Sequence, residues 1–524
     1  MVKSALLLTL VFLLGCTGVF AQGPCSSQSS NLACVLPQAY GSNPNRAFTQ
    51  VLYDYGPKDG HPFHYINDFS ATLKPFTADI GRQANLLPLA SPSSGVLLAY
   101  DATLKTLVTV TDSLGPILGE RAETVGRHRL FIGFSYQFFD FDKIDGVNLH
   151  NFPAVLTHTD DNRNNATPAM PINCSISNAV SGPANLNGCG FVRDRIDTVN
   201  SISLKINQYT SYITFGLTRR IDVSMVIPIE NVRMSLYSVT TIFPGTNGFI
   251  TPVPGSPNAL YPNQNNLTTG PPYFFHLFKN CPNTSPAAGV AGLASNCVNH
   301  TFPDFAFTGS GSQPRNSASG IGDVVARVKW NFWEGEKAGL AAGMDVRFAS
   351  GDALNYIGSG SYGFKPFAVF SYRARVSPHV LVGYEWNTNS VTAGDLTTGV
   401  KGSVPSDFYY TAGADAWVTR WLTGDFDIVG QRIFGTQTVN VTQQQFLANC
   451  GSCTSSPNPG TVTLPNLATS TNSSYNITSA SMGIKVRPFG KVSRLVFTGN
   501  VLVRLDDGGL RSKPAPLVGV GYTF

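Results

Sequence analysis

The sequence predicts an all-β protein: a transmembrane antiparallel β-barrel of about 12–14 strands, with long extracellular loops and short periplasmic turns. Three observations predict it: runs of alternating side chains, an asymmetry between short and long connections, and the residues at the C-terminus. Side chains of a strand point alternately to its two faces, so one face of each run can meet lipid. Val324, Ala326, Val328, Trp330 and Phe332 share a face, opposite Arg327, Lys329 and Asn331. Leu340, Ala342, Met344, Val346 and Phe348 stand opposite Asp345 and Arg347. Val380, Val382, Tyr384 and Trp386 oppose His379, Glu385 and Asn387, and Leu495, Phe497, Val501, Val503 and Leu505 oppose Thr498, Asn500 and Arg504.

A soluble sandwich also alternates, so the connections decide. Short turns are expected near Thr218–Asp222, Phe332–Gly339, Arg375–His379, Thr419–Thr423 and Pro488–Ser493. Between them lie long segments near 244–320, 350–364, 388–406, 435–473 and 506–514. Outer-membrane barrels show this asymmetry. At the end of the chain Val518, Val520, Tyr522 and Phe524 alternate, which resembles the signal read by the barrel-assembly machinery.

The first element is an export signal, 1–21. Lys3 is basic, Ala5 to Leu14 is mostly apolar, and Val19-Phe20-Ala21 precedes a cut at Gln22. Leu13-Leu14-Gly15-Cys16 offers a competing lipoprotein reading with Cys16 lipidated, which a spanning barrel does not need. Residues 22–94 lack periodicity and are expected to be a periplasmic or plug-like segment; the barrel is expected over 95–524. Its runs lie near 129–142, 199–217, 222–243, 322–333, 338–349, 365–376, 379–387, 407–418, 422–434, 474–487, 494–506 and 515–524. A further pair near 95–112 would raise twelve strands to fourteen. After the signal no stretch of roughly 18 apolar residues suggests a spanning helix.

Composition agrees with an exported barrel. Charged residues make up 13% of the chain, against about 25% for an average protein. The net charge of +5 is small for 524 residues and implies no nucleic-acid partner. The expected partners are outer-membrane lipid, the assembly machinery and small-molecule solutes. Cysteines beyond Cys16 fall into neighbours, Cys25 with Cys34, Cys174 with Cys189, Cys281 with Cys297 and Cys450 with Cys453, the pattern of disulfide-pinned loops in an oxidising compartment. Other pairings remain open. The segment 435–473 has no charged residue, and 244–314 has only Lys279 and Asp304. With Tyr273, Phe274, Phe275 and Phe278 present, these loops are expected to form caps or constrictions, or to be plain solvated loops.

Motifs for other chemistry lack their context. Gly358-Ser359-Gly360-Ser361-Tyr362-Gly363 has dinucleotide-motif spacing but precedes a strand, with no βαβ unit. Cys450-Gly451-Ser452-Cys453 has redox spacing without a helix start, which favours a loop disulfide. Asp140, Asp142 and Asp145 are misplaced for a calcium loop and lack its later Glu. The histidines suggest no zinc site, and no G-x-S-x-G elbow is present. No cofactor, metal or catalytic residue is expected.

The remaining candidates are ionisable residues opposite the lipid face: Arg327, Lys329, Asp345, Arg347, Arg373, Glu385, Asp415, Asp425, Asp427, Lys485 and Arg504. At the bilayer midplane Arg or Lys facing lipid costs about 2–4 kcal/mol, which directs them to the lumen. They are expected either to line a channel or to fill a narrow barrel with salt bridges.

Several phrases resemble one family. Gly115-Pro116-Ile117-Leu118-Gly119-Glu120-Arg121-Ala122-Glu123-Thr124, Ile132-Gly133-Phe134-Ser135-Tyr136 and Ser319-Gly320-Ile321-Gly322-Asp323 are similar to transporter-type outer-membrane proteins of the phenol meta-degradation (MetA-pathway) family. So is the run from Arg347 through Gly351-Asp352 to Gly363-Phe364-Lys365-Pro366 and Gly383-Tyr384-Glu385-Trp386-Asn387. The resemblance covers roughly 95–524. It implies passive passage of small compounds, aromatic or otherwise hydrophobic, and brings no catalytic residue. The cysteine-bearing loops depart from a compact version of that pattern. The alternatives are an outer-membrane enzyme, which would need a nucleophile and base near the rim, and a closed structural or adhesion barrel. A TonB-coupled receptor would need many more strands.

Overall fold

A computed structural model describes residues 31–34, 52–55, 65–66, 79–83, 87, 98–101, 106–109, 113–158, 195–243, 275–278, 300–302, 317–396, 399–419, 421–447, 461–488 and 493–524. Twelve antiparallel strands close into one barrel. In chain order they are β1 Leu130–Ile144, β2 Arg195–Gly216, β3 Ile221–Phe243, β4 Val325–Glu334, β5 Ala338–Arg347 and β6 Gly363–Tyr372. Then come β7 Val376–Asn387, β8 Asp407–Thr419, β9 Leu422–Leu447, β10 Thr461–Val486, β11 Leu495–Arg504 and β12 Ala515–Thr523. Each pairs with the next, and β12 closes on β1 with Val520 opposite Phe134. Closure leaves no unpaired edge, so backbone polar groups are satisfied without water.

The two faces of the wall differ as their side chains require. On β4 Trp330 is 53% exposed while its neighbour Lys329 is 1% exposed. Phe134, Met344, Val382, Phe426, Met482 and Phe497 also stand on the outer face. An exposed apolar surface on every side of a closed barrel calls for a hydrocarbon solvent. Val518, Tyr522 and Phe524 lie on that face, with Val520 partly covered. An even strand number puts both barrel ends on one side, and the short turns mark that side as periplasmic.

Two expectations change. The segment 435–473 is for the most part strand: β9 and β10 pair from Thr436↔Ser473 out to Leu447↔Thr461. Its alternating Thr, Val, Asn and Gln suit a two-stranded ribbon in water, where no lipid-facing apolar row marks the strand. Gly435, at φ +62°, sits at the register shift where the ribbon leaves the barrel. The pair near 95–112 forms a separate two-stranded sheet, Leu98–Asp101 with Thr106–Thr109, so the barrel has twelve strands rather than fourteen. Four residues are too few to span. In the 244–314 segment, Phe275–Phe278 pairs with Leu52–Tyr55, while Tyr273 and Phe274 lie outside the described residues.

Candidate functional site

Strand alternation brings the long polar side chains to the inner face, and there they meet a second piece of chain. Residues 113–125 are almost wholly buried and run across the wall's inner surface near the periplasmic turns. Leu114 N–H donates to Thr423 Oγ1 at 3.0 Å, Ile117 N–H to Asp425 Oδ2 at 3.0 Å, Gly119 N–H to Asp427 Oδ2 at 2.8 Å and Val125 N–H to Asp222 Oδ2 at 2.9 Å. This segment has no helix or strand of its own, so its backbone donors need such partners once they leave water. Gly119 is required by space: a Cβ there would lie 2.3 Å from His379 Nε2.

Side chains complete the contact. Lys329 Nζ donates to Glu120 Oε1 at 2.7 Å and to the carbonyls of Arg121 and Glu123 at 2.9 and 2.8 Å. Arg327 forks onto Asp345, at 2.6 and 2.8 Å, and reaches Glu120 Oε2 at 2.8 Å. Such bidentate, charge-assisted bonds fix position more tightly than single neutral ones. Arg121 and Ser113 both donate to Asp415. Lys485 Nζ donates to the carbonyls of Leu114, at 3.4 Å, and Pro116. Arg373 stands at the turn end, 3.1 Å from Glu334 and 3.6 Å from Glu123.

Farther toward the long loops, Arg347 binds Asp323 at 3.0 Å, Glu385 Oε1 at 3.1 Å and the Ser361 carbonyl at 3.0 Å. The glycine-rich stretch 358–363 thus folds inward as a loop, with Ser359 also donating to Asp323. Arg504 pairs with Asp142, and Lys513 with Asp140 at 2.8 Å. Asp145 instead accepts Val439 N–H at 2.8 Å and Gly509 N–H at 2.7 Å, with burial raising its carboxyl above the ordinary range. The three aspartates therefore have separate partners and do not converge.

A second inner contact lies near the long loops. Residues 79–83 are helical, and Arg82 donates to Asp79 Oδ1 at 3.0 Å and to Tyr475. Thr436 Oγ1 donates to Asp79 at 3.3 Å, and Leu510 N–H to Gln83 Oε1 at 2.5 Å. Burial pushes the Asp79 carboxyl up to about 7, although Arg82 beside it pulls the other way. Cys34 is disulfide-bonded and fully buried. Cys25, Cys174, Cys189, Cys281, Cys297, Cys450 and Cys453 lie outside the described residues, as do 1–21.

Of the sequence candidates, Arg327, Lys329 and Asp345 meet around Glu120; Asp415, Asp425, Asp427 and Lys485 meet around 113–121; Arg373 meets Glu123 at the turn end; Arg347 meets Glu385; Arg504 stands apart. Sequence reasoning missed His379, Asp222, Asp323 and Lys365 as members of the network, and Glu120, Arg121 and Glu123 as its partners. A signal for the last three exists: three charges within four residues, in a chain with 13% charged residues.

No protein-family model matches the chain, and no curated protein matches it in sequence. Solved structures resemble it loosely. An outer membrane channel from Pseudomonas putida F1 shares 8% identity with a TM-score of 0.38, covering 77% of this chain and 98% of its own. A FadL homologue from Pseudomonas aeruginosa shares 9% at 0.28, covering 76% and 90%. The translocator domain of the autotransporter NalP from Neisseria meningitidis shares 6% at 0.22, covering 76% and 89%. Placement in the membrane rests on the chain's own closed pairing and apolar outer face. By those, the chain is a twelve-stranded β-barrel of the bacterial outer membrane.

Proposed function

We propose that this barrel is a passive channel or transporter for small solutes, with no enzymatic role, and that residues 113–125 act as its plug. The observation that carries this reading is the bonding of that segment: its main chain is held by inner-face carboxylates and lysines, while Leu114, Ile117, Leu118, Ala122 and Val125 pack on apolar residues of the wall. The polar contacts exchange for water as a segment moves, so their net hold is far smaller than their number suggests. The mixed-charge inner face of Arg327, Lys329, Asp345, Arg347, Glu385, Asp415, Asp425, Asp427, Lys485 and Arg504 would then line the path, and solutes would move down their gradient. Aromatic or otherwise hydrophobic compounds are the solutes we propose, and an apolar recess of about 60 Å3, lined by Leu87, Phe139, Phe141, Val429, Ile477 and Leu502 with Arg504 and Arg511 beside them, offers them a contact on that path. Likeness to the phenol meta-degradation transporters points the same way.

The test is conductance in planar bilayers, with folding checked by heat-modifiable gel migration. Wild type should give rare, salt-dependent current steps. Gly119→Ala, which drives a Cβ into His379, should open the barrel about tenfold more often for each ~1.4 kcal/mol by which it weakens the hold on the segment. If folded wild type, Gly119→Ala and a deletion of 113–125 are all silent, the channel reading falls. A closed adhesion barrel, which the projecting ribbon of β9 and β10 favours, would then stand.

A further inference from the structure

Among the described residues, one group of side chains is arranged as an ion would hold them. His379 on β7 and Asp425 and Asp427 on β9 each offer a ligand atom, and the three atoms lie within 4.8 Å of one another. Donors at the usual zinc distances of about 2.0–2.2 Å are separated by roughly 3.3–4.3 Å around one ion, so His379 Nε2 and Asp427 Oδ1, hydrogen-bonded at 2.6 Å, part by about 1 Å to admit it. All three side chains are buried. The register explains how they meet. His379 stands opposite Gly413 of β8, and Gly413 stands opposite Asp427. Since a Cβ on Gly413 would lie 2.0 Å from Asp427 Oδ1, only glycine lets the two side chains meet over the intervening strand. Asp425 follows two residues away on the same face.

Two independent features point to a cation there. Asp425 is 6% exposed, its Oδ2 accepts Ile117 N–H, and its Oδ1 has no hydrogen-bond partner. Among the described residues no ion pair involves it, and a buried carboxylate oxygen without a donor is costly. Second, both ring nitrogens of His379 face oxygens. Nε2 lies 2.6 Å from Asp427 Oδ1, while Nδ1 faces the Ser377 carbonyl at 3.4 Å and Asp415 Oδ1 at 3.5 Å. A neutral imidazole has one N–H, so one lone pair must face an acceptor. A second ring proton would relieve Asp427 but leave Asp425 Oδ1 bare. A metal ion relieves both, with Nδ1–H held from behind by Ser377 and Asp415 as metal-bound histidines are.

We propose that His379 Nε2, Asp425 and Asp427 bind one divalent transition-metal cation of the Zn2+ class. The carboxylates divide their oxygens: each Oδ2 receives an N–H of 117 or 119, Asp425 Oδ1 has no other partner, and Asp427 Oδ1 would exchange its contact with His379 Nε2 for the ion. The ion sits where residues 117–119 touch the wall. Its binding is independent of whether the barrel conducts.

The test uses the untagged full chain, purified in detergent, stripped with chelator and passed back through Zn2+. Metal content after desalting should be one Zn2+ per chain, and Co2+ should give visible absorption of an N/O-ligated site. His379→Gln and Asp425→Asn, shown folded by gel migration, should bind at least about tenfold more weakly. Asp142→Asn, outside the cluster, should bind as wild type does. Wild type that retains no Zn2+, or that binds no better than Asp425→Asn, overturns the site and leaves a shared proton as the resolution. Equal retention by all variants marks adventitious metal and overturns it as well.

Discussion

Lys329 and Glu120, more than two hundred residues apart in the chain, meet at 2.7 Å with both side chains nearly sealed from solvent, at 1% and 2% exposure. Lys329 belongs to the barrel wall and Glu120 to the segment that crosses its inner face. Their contact sets the first prediction. Breaking a buried pair costs about 3–5 kcal/mol, and less here, because Glu120 keeps Arg327 and Lys329 keeps the carbonyls of Arg121 and Glu123. Lys329→Met and Glu120→Gln should each lower the unfolding temperature read by gel mobility. The double variant should lose less than the sum of the two. Additive losses would mean that the two groups are not coupled.

The outer face gives a second expectation. Trp330 neighbours Lys329 on β4 but points the other way, at 53% exposure. Trp330→Arg should destabilise folding into bilayers by about 2–4 kcal/mol if the site is near the midplane. Trp330→Leu should be close to neutral. Denaturant titration in lipid vesicles measures both, and an Arg variant as stable as wild type would remove Trp330 from the lipid surface.

A pH dependence follows from Asp79. Burial raises its carboxyl to about 7 in the fold, above an unfolded value of 3.8. A raised carboxylate contributes stability that is complete below the unfolded value and is lost as pH rises to the folded one. The hold on 79–83 should therefore weaken between pH 4 and 7 and change little above. Hydrogen exchange at 79–83, corrected for the intrinsic rate, checks this. Asp79→Asn should flatten the profile, and an unchanged profile in that variant would assign the dependence elsewhere.

The ribbon of β9 and β10 beyond Gly435 pairs only within itself over Gln437↔Asn472 to Leu447↔Thr461. Replacing 443–466, beyond buried Val439, by a short turn should leave the barrel folded, with unfolding shifted by less than about 1 kcal/mol, as surface changes usually are. Loss of the folded gel species would show that the ribbon supports the barrel.

The amino-acid sequence by itself determined that strands would alternate apolar and polar residues, where short turns would fall, and that the chain would cross the outer membrane as a barrel of about 12–14 strands. Those properties are local: alternation sets each face, and turns bearing charged residues, with Gly or Pro in several, break each run. The ends of β9 and β10 were not legible, because outside the bilayer a strand needs no apolar row and Thr, Asn and Gln pair as well in a ribbon as they dissolve in a loop. Nor was the inner network. His379 meets Asp427 only because β8 lies between them with glycine at 413, and Glu120 meets Lys329 only because the chain before β1 turns back inside the wall. Such meetings depend on register and closure, which couple residues distant in sequence, and the tertiary structure alone decided them.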